Sequence, residues 1–227
     1  MKRLSVFVFI VVLLSGLILP CQADLYFSDN FDDGNTDGWW LGFNHWDFPI
    51  EEGNWRIEDG CLVQDALPDH YIALVENLLL SNQTIETQVK LKSPKGYGGV
   101  TVWYKDLDNW INVYLYPNER SIFVFENIEG AGSPSGYFRY PYITSEDIWY
   151  DLRVDADSIN GELALYLNDT YLFTHNTITP YRSGLSGLSC GNGGAYFDNF
   201  QITPVPSAVI LGGLGLAFAS WRLRMMK

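Results

Sequence analysis

Between Asp108 and Tyr116 the sequence places Trp110, Asn112, Tyr114 and Tyr116 at every second position. Alternate side chains of an extended strand share a face. One face would therefore carry three rings and a carboxamide, while Ile111, Val113 and Leu115 turn to a core. Flat apolar rings suit the faces of pyranoses and an amide suits their hydroxyls. Trp103, on the preceding strand, is a fifth candidate for the same surface. Aromatic residues also favour strands for packing reasons alone, so a purely structural reading of the five stands beside the ligand-binding one.

Hydrolysis of a glycosidic bond needs paired carboxylates, and the outward positions of this strand offer none. Glu51-Glu52 and Glu58-Asp59 are adjacent pairs whose members would point to opposite faces of a strand. An enzyme would have to draw its acids from loops, where Asp47, Glu51, Asp69 and Asp106 are available. His45, His70 and His175 lie in separate segments without metal-ligand spacing and read as surface or loop residues. No nucleophile-elbow serine occurs. No catalytic residue is assigned, and whether His45 and His70 meet an acid across loops is left to tertiary structure.

The segments that must position these residues read as short alternating strands broken by Gly, Asn, Asp and Pro, with no helical period of useful length. Trp55 to Val63 is a hairpin around Asp59-Gly60. Thr84 to Lys92 alternates Ile85, Thr87, Val89 and Leu91 against Glu86, Gln88, Lys90 and Lys92, the pattern of a half-buried strand. Gly99 to Tyr104, Asp108 to Tyr116 and Ser121 to Glu126 form a meander. Trp149 to Asp155, Glu162 to Leu167 and Thr170 to Thr174 follow, the last two joined at Asn168-Asp169, and Gly184 to Cys190 and Ala195 to Thr203 close the domain. About ten strands cannot bury their apolar faces in one flat sheet. The expectation is an all-β, two-sheet antiparallel jelly-roll sandwich, with Gly34 to Glu52 and Glu129 to Ser145 as long binding loops.

Both ends differ from this body. Lys2 and Arg3 precede the apolar run Val6 to Leu19, and Cys21-Gln22-Ala23 puts small residues where signal peptidase needs them, so residues 1–23 read as a signal peptide cleaved before Asp24. Lipidation at Cys21 is disfavoured by Pro20, and the run is short for an uncleaved anchor. At the other end Pro204-Val205-Pro206-Ser207 leads into the apolar, Gly-rich run Ala208 to Trp221 and then a basic finish through Arg222, Arg224 and Lys227. A transmembrane helix with its basic end cytoplasmic follows from this order, leaving residues 24–203 outside. The protein is expected to be exported and to sit in the cell envelope or outside the cell, held at least transiently by that helix.

Charge narrows the partners. Five of the 14 Lys and Arg lie in the two ends, leaving nine against all 27 Asp and Glu and a net charge of −18 on the central domain. Nucleic acid and anionic membrane surfaces are repelled. Cys61 and Cys190 remain once the signal is removed, and in an oxidising compartment two such cysteines are expected to pair, with free buried thiols as the alternative. Asp198 is an acid inside the apolar strand Ala195 to Ile202, where an unpaired charge is costly.

Three stretches carry a resemblance: Phe27-Ser28-Asp29-Asn30-Phe31-Asp32, the segment around Asp59-Gly60, and Tyr196-Phe197-Asp198-Asn199-Phe200. In order and spacing they look like concanavalin A-like lectin/glucanase domains, which include laminin G-like modules and family 16 glycoside hydrolases. The resemblance implies a concave face carrying the candidate strand, where the hydrolases place Glu-x-Asp-x-Glu and this chain has Trp110, Asn112 and Tyr114. It also implies a structural calcium ion on the convex side, held by the carbonyls of Asn30 and Gly60 and by the side chain and carbonyl of Asp198. An acid that caps backbone amides or faces water is the other reading of Asp198. The tail from Pro204 to Lys227 resembles the PEP-CTERM sorting signal recognised by an exosortase, departing from it in having Val205 where the motif has Glu. A plain single-pass anchor is the alternative.

Three functions fit: an exported, envelope-anchored carbohydrate-binding or adhesive module with a polysaccharide or other glycan as partner, a glycoside hydrolase-like enzyme, or a structural envelope or biofilm-matrix protein. Export, exosortase and membrane partners belong to all three.

Overall fold

A computed structural model describes residues 25–43, 53–67 and 70–205, with the backbone alone described at 43 and 131–136. The described residues form fifteen strands: β1 (Phe27–Asp29), β2 (Trp39–Phe43), β3 (Arg56–Glu58), β4 (Cys61–Gln64), β5 (Tyr71–Val75), β6 (Gln83–Leu91), β7 (Tyr97–Asp106), β8 (Asn109–Tyr116), β9 (Ser121–Ile128), β10 (Ala131–Pro141), β11 (Trp149–Asp157), β12 (Glu162–Leu167), β13 (Thr170–Asn176), β14 (Leu185–Gly191) and β15 (Ala195–Thr203). The first sheet runs β13-β12-β11-β6-β15-β4-β3, with β1 also on β15; the second runs β10-β9-β8-β7-β14-β5-β2. The strand pairings are antiparallel. Two antiparallel sheets packed face to face make the expected jelly-roll-like sandwich.

Period-two patterning decides which side chains meet between the sheets. Ile85, Val89 and Leu91 of β6 face Val100 and Val102 of β7 and Ile111, Val113 and Leu115 of β8 in one continuous core that also takes in Phe197 and Ile202. Two hairpins turn where the sequence marks them: Asp59-Gly60 has φ of 53° and 75°, and Asn168-Asp169 has 49° and 59°. Positive φ at both central residues matches the right-handed twist of the flanking strands.

Several expectations need correction. The stretch Glu129 to Ser145 is largely strand, not loop. Glu129-Gly130 turns with φ of 55° and 67° and sends β10 back along β9. Gly132, Pro134 and Gly136 made this stretch read as irregular. As the edge strand of its sheet, β10 tolerates them, and its register slips between Gly132 and Tyr137. Residues 39–43 of the other long loop are likewise strand, and β5 was missed because its continuous apolar run lacks alternation.

Trp103 does not reach the outer face. Regular alternation from Tyr97 would carry it there beside Thr101. Instead it has φ of 52°, the register with β8 is interrupted after Val102, and the indole turns into the inter-sheet core with its N–H on the Ser81 carbonyl at 2.7 Å. A bulge of this kind puts two successive side chains on one side.

The Cys61–Cys190 disulfide is also overturned, since both thiols are free. Cys61 lies on β4 in the first sheet beside the Asp59 carbonyl at 3.8 Å. Cys190 lies on β14 in the second, its Sγ 3.6 Å from Gln64 Oε1. Counting cysteines could not reveal that each has a separate partner. Burial pushes both thiols above the ordinary range, so neither is a ready thiolate.

Residues 1–23, the apolar run Ala208 to Trp221 and the basic finish lie outside the described residues. Among the described residues no helix is long and apolar enough to cross a membrane.

Candidate ligand face

The outer face of the second sheet is built from strands β7, β8 and β9. Their outward positions hold Tyr97, Trp110, Tyr114, Phe123 and Phe125, which form an apolar cluster separate from the inter-sheet core. The rings meet at steep angles: Trp110 and Phe125 pack edge to face with centroids 5.1 Å apart at 70°, and Tyr97 is tilted by 52° with its centroid 4.8 Å from that of Tyr114. Such offset contacts suit the ring quadrupoles. This is the face expected for Trp110, Asn112, Tyr114 and Tyr116, and the structure brings all four to it.

Most of the cluster is a floor, not an open groove. Trp110 is 2% exposed, Asn112 0% and Tyr114 2%. Their polar atoms are engaged internally. Thr101 Oγ1 donates to Asn112 Oδ1 at 2.7 Å, Asn112 Nδ2 donates to Tyr114 Oη at 2.7 Å, and the Trp110 indole N–H donates to the Leu107 carbonyl at 3.0 Å. His70, leading into β5, places Nδ1 3.0 Å from both Tyr97 Oη and Tyr114 Oη, and its ring lies against Trp110 and Phe125. Burial lifts the Tyr114 hydroxyl well above its usual range, against the Asn112 hydrogen bond that favours the charged form.

The accessible part is a rim. Tyr116 is half-buried against Phe123, and Tyr137 on β10 is 50% exposed with its ring 4.8 Å from Phe123 and 5.0 Å from Phe125. On the far side Trp40 of β2 is 40% exposed and tilted 6.5 Å from Tyr104. Burial first, then Asp106 and Asp108, push the Tyr104 hydroxyl up to about 12; burial likewise raises that of Tyr137. Both remain neutral hydrogen-bonding groups near neutral pH. The alternation of β8 points to the floor and Tyr116, whereas Trp40, Tyr104 and Tyr137 come from β2, β7 and β10, which that alternation does not reach.

Of the loop acids, Asp106 alone is among the described residues. Asp106 accepts from the Asp108 N–H at 3.0 Å and from Asn109 Nδ2 at 2.7 Å, which makes it a turn residue. Asp47, Glu51, Asp69 and His45 lie outside the described residues. His175 is not a surface residue. It is 1% exposed, with Nε2 2.8 Å from Glu126 Oε1 and Nδ1 2.9 Å from Tyr140 Oη. Glu126 also accepts from the backbone N–H groups of Ile178 and Thr179, at 2.8 to 3.1 Å. This buried network ties β9 and β10 of the second sheet to β13 of the first, and its partners satisfy the acid.

The residues expected around calcium do gather. Asn30 Nδ2 donates to Asp32 Oδ2 at 2.7 Å, Asp32 Oδ1 lies 3.2 Å from where a Cβ on Gly60 would stand, and Asp198 Oδ1 accepts from the Asn199 N–H at 2.6 Å. Burial raises the Asp198 carboxyl and the nearby Asp32 raises it further; no salt bridge to either acid occurs among the described residues. Asp32 was not foreseen. Two carboxylates and two carbonyls are oxygen donors of the kind a hard cation takes. Among the described residues no three His, Cys, Asp or Glu side chains gather as a metal group, so carbonyls would have to supply much of the shell.

No family model matches the sequence, and a search of curated proteins finds no match. Solved structures share the fold. The carbohydrate binding module CBM66 from Bacillus subtilis superposes with a TM-score of 0.60 at 17% identity, covering 73% of this chain and 95% of that one. The Emp46p carbohydrate recognition domain, in a potassium-bound form, gives 0.58 at 12%, covering 82% and 100%. A beta-1,3-glucanase from Mycobacterium marinum gives 0.55 at 12%, covering 80% and 99%. The chain thus shares its jelly-roll fold with a carbohydrate binding module, a carbohydrate recognition domain and a glucanase.

Proposed function

We propose that this chain is an exported, envelope-anchored carbohydrate-binding module. The observation that carries the reading is the rim of accessible rings, Trp40, Tyr104, Tyr116 and Tyr137, standing over a floor of packed aromatics on the outer face of the second sheet. A rigid aromatic platform contacts sugar faces at little entropic cost. Binding partners among the neighbours support the same reading, since a carbohydrate binding module and a carbohydrate recognition domain share the fold. The outward positions of β8 carry Trp110, Asn112, Tyr114 and Tyr116, which gives a retaining hydrolase no nucleophile and no acid there. Export and anchoring rest on residues 1–23 and 204–227, with an exosortase or a plain anchor as the means of retention. A calcium ion held by Asn30, Asp32, Gly60 and Asp198 would neutralise the partly buried Asp198 and the exposed Asp32 beside it, where the first and last strands meet.

Glycan-array binding by wild type and by Tyr137→Ala tests the module. The substitution should weaken binding by about 1–3 kcal/mol, the worth of one stacking ring, and leave the melting temperature nearly unchanged. Unchanged binding would remove the rim, and reducing-sugar release from a polysaccharide panel would replace the module with an enzyme. For the ion, calcium should raise the melting temperature of wild type and not that of Asp198→Ala.

A further inference from the structure

A second recessed surface lies on the opposite side of the sandwich. Strands β15, β6, β11 and β12 border a groove of ≈ 350 Å³ on the outer face of the first sheet, lined by Gln88, Asp151, Arg153, Tyr166, Asn199 and Gln201 among others. It opens where β15 slips register against β6 between Asp198 and Gln201, with Asn199 at φ 48°. A bulge re-aims side chains and interrupts the ladder, and here the Asp198 carbonyl takes the Thr87 hydroxyl at 3.1 Å.

Its side chains are held by one another. Asn199 Nδ2 donates to Gln88 Oε1 at 3.1 Å, and Gln88 Nε2 donates to Asp151 Oδ1 at 2.9 Å. Gln201 donates to Glu86. Arg153 donates from Nε and Nη2 to Asp155, at 2.8 and 2.7 Å, and its guanidinium lies 4.7 Å from the centroid of the Tyr166 ring. Among the described residues Arg153 Nη1, Asp151 Oδ2 and Asn199 Oδ1 have no hydrogen-bond partner. A fixed donor, a fixed acceptor and an amide oxygen beside the partly buried Tyr166 ring match the alternating demands of sugar hydroxyls around an apolar pyranose face. The pairing also removes most of the rotamer entropy that binding would otherwise cost.

We propose that this groove is a second glycan subsite, taking a neutral hexose unit. Glu86, Asp151 and Asp169 line it against the single cation Arg153, which Asp155 already neutralises, so sugar acids and sulfated sugars are repelled. The subsite does not depend on the aromatic rim. With both in place, one domain touches glycan on two opposite faces and bridges two chains.

The full chain, isotope-labelled and held in a detergent without sugar headgroups, is titrated with laminaritetraose, cellotetraose and tetragalacturonate while the side-chain amide signals of Gln88, Asn199 and Gln201 are followed. Saturable shifts of those signals with a neutral tetrasaccharide, weakened roughly tenfold or more in Tyr166→Ala, are the expected result. Asp151→Asn gives a second variant that keeps the fold if Tyr166→Ala disturbs it, and it should weaken the same shifts. Absence of shifts at the three amides with millimolar sugar overturns the subsite, as does equal binding of tetragalacturonate. Shifts confined to the Tyr116–Tyr137 rim overturn the groove and leave the aromatic face standing. Shifts confined to the groove do the reverse.

Discussion

The two outer faces of the sandwich solve the same problem in opposite ways. Behind the second sheet, rings pack on rings and the few polar atoms, Thr101, Asn112 and Tyr114, are satisfied among themselves under His70. Behind the first sheet, β6 presents Glu86, Gln88 and Lys90, and neighbouring strands answer with Arg153, Asp151 and Tyr196. One face behaves as a second small core, where side chains contribute to stability. The other is a lattice of paired charges and amides in partial contact with water, where each pair contributes little. Aromatic content therefore does not by itself mark a binding surface: only rings at the edge of such a cluster have area left for a ligand.

If the second sheet carries a real satellite core, truncating its centre must cost far more than truncating a ring on the first sheet. Trp110→Ala should lower unfolding free energy by about 3–5 kcal/mol, as deletion of a buried indole does, whereas Tyr171→Ala, whose ring is 53% exposed on β13, should cost under about 0.5 kcal/mol. Denaturant titration of both variants checks this. Equal small losses would break the contrast and make Trp110 the accessible ligand contact that its sequence position suggested.

A smaller effect examines how the polar atoms of the floor are satisfied. Tyr114→Phe strips the partner from the buried Asn112 Nδ2, which donates to the phenol at 2.7 Å. The loss should be about 1–3 kcal/mol, larger than for a hydroxyl that faces water. Chemical denaturation of wild type and variant measures it.

The lattice on the first sheet should show its weakness and its pH dependence at Asp65. Hydrogen bonds from Arg56 first, and then from Lys92 and Asn54, hold this carboxyl well below the usual carboxylate range against the opposing effect of burial. A group whose folded pKa is depressed stabilises the fold above its unfolded pKa of about 4, and that contribution is lost as pH falls through the folded value. Asp65→Asn should therefore cost about 1–2 kcal/mol at pH 7, discounted for its partly exposed partners, and the gap from wild type should shrink steadily below about pH 4. A constant gap across that range would remove the ion pairs as its source.

Much of this architecture is legible in period and punctuation. Thr84 to Lys92 and Asp108 to Tyr116 announce their two faces by alternation, and Asp59-Gly60 and Asn168-Asp169 announce their hairpins by residues that tolerate positive φ. These signals are local, and local sterics and burial suffice to produce them. What stayed hidden was either an exception to alternation or a meeting of distant segments. β10 is an edge strand whose Gly and Pro imitate a loop, so its exposed Tyr137 could not be placed on the candidate face.

The sequence alone determined an all-β sandwich, an aromatic outward face on β8 and the absence of carboxylates from it, because each follows from neighbours two residues apart. Tertiary structure alone decided that the bulge at Trp103 turns that ring inward, that Cys61 and Cys190 remain apart on separate sheets, and that His175 meets Glu126 across the edge of the sandwich. It also decided that His70 covers Tyr114 and leaves only the rim exposed. Those outcomes depend on which strands lie side by side and where a ladder slips, quantities set by packing across the whole domain and not by the spacing of residues within one strand.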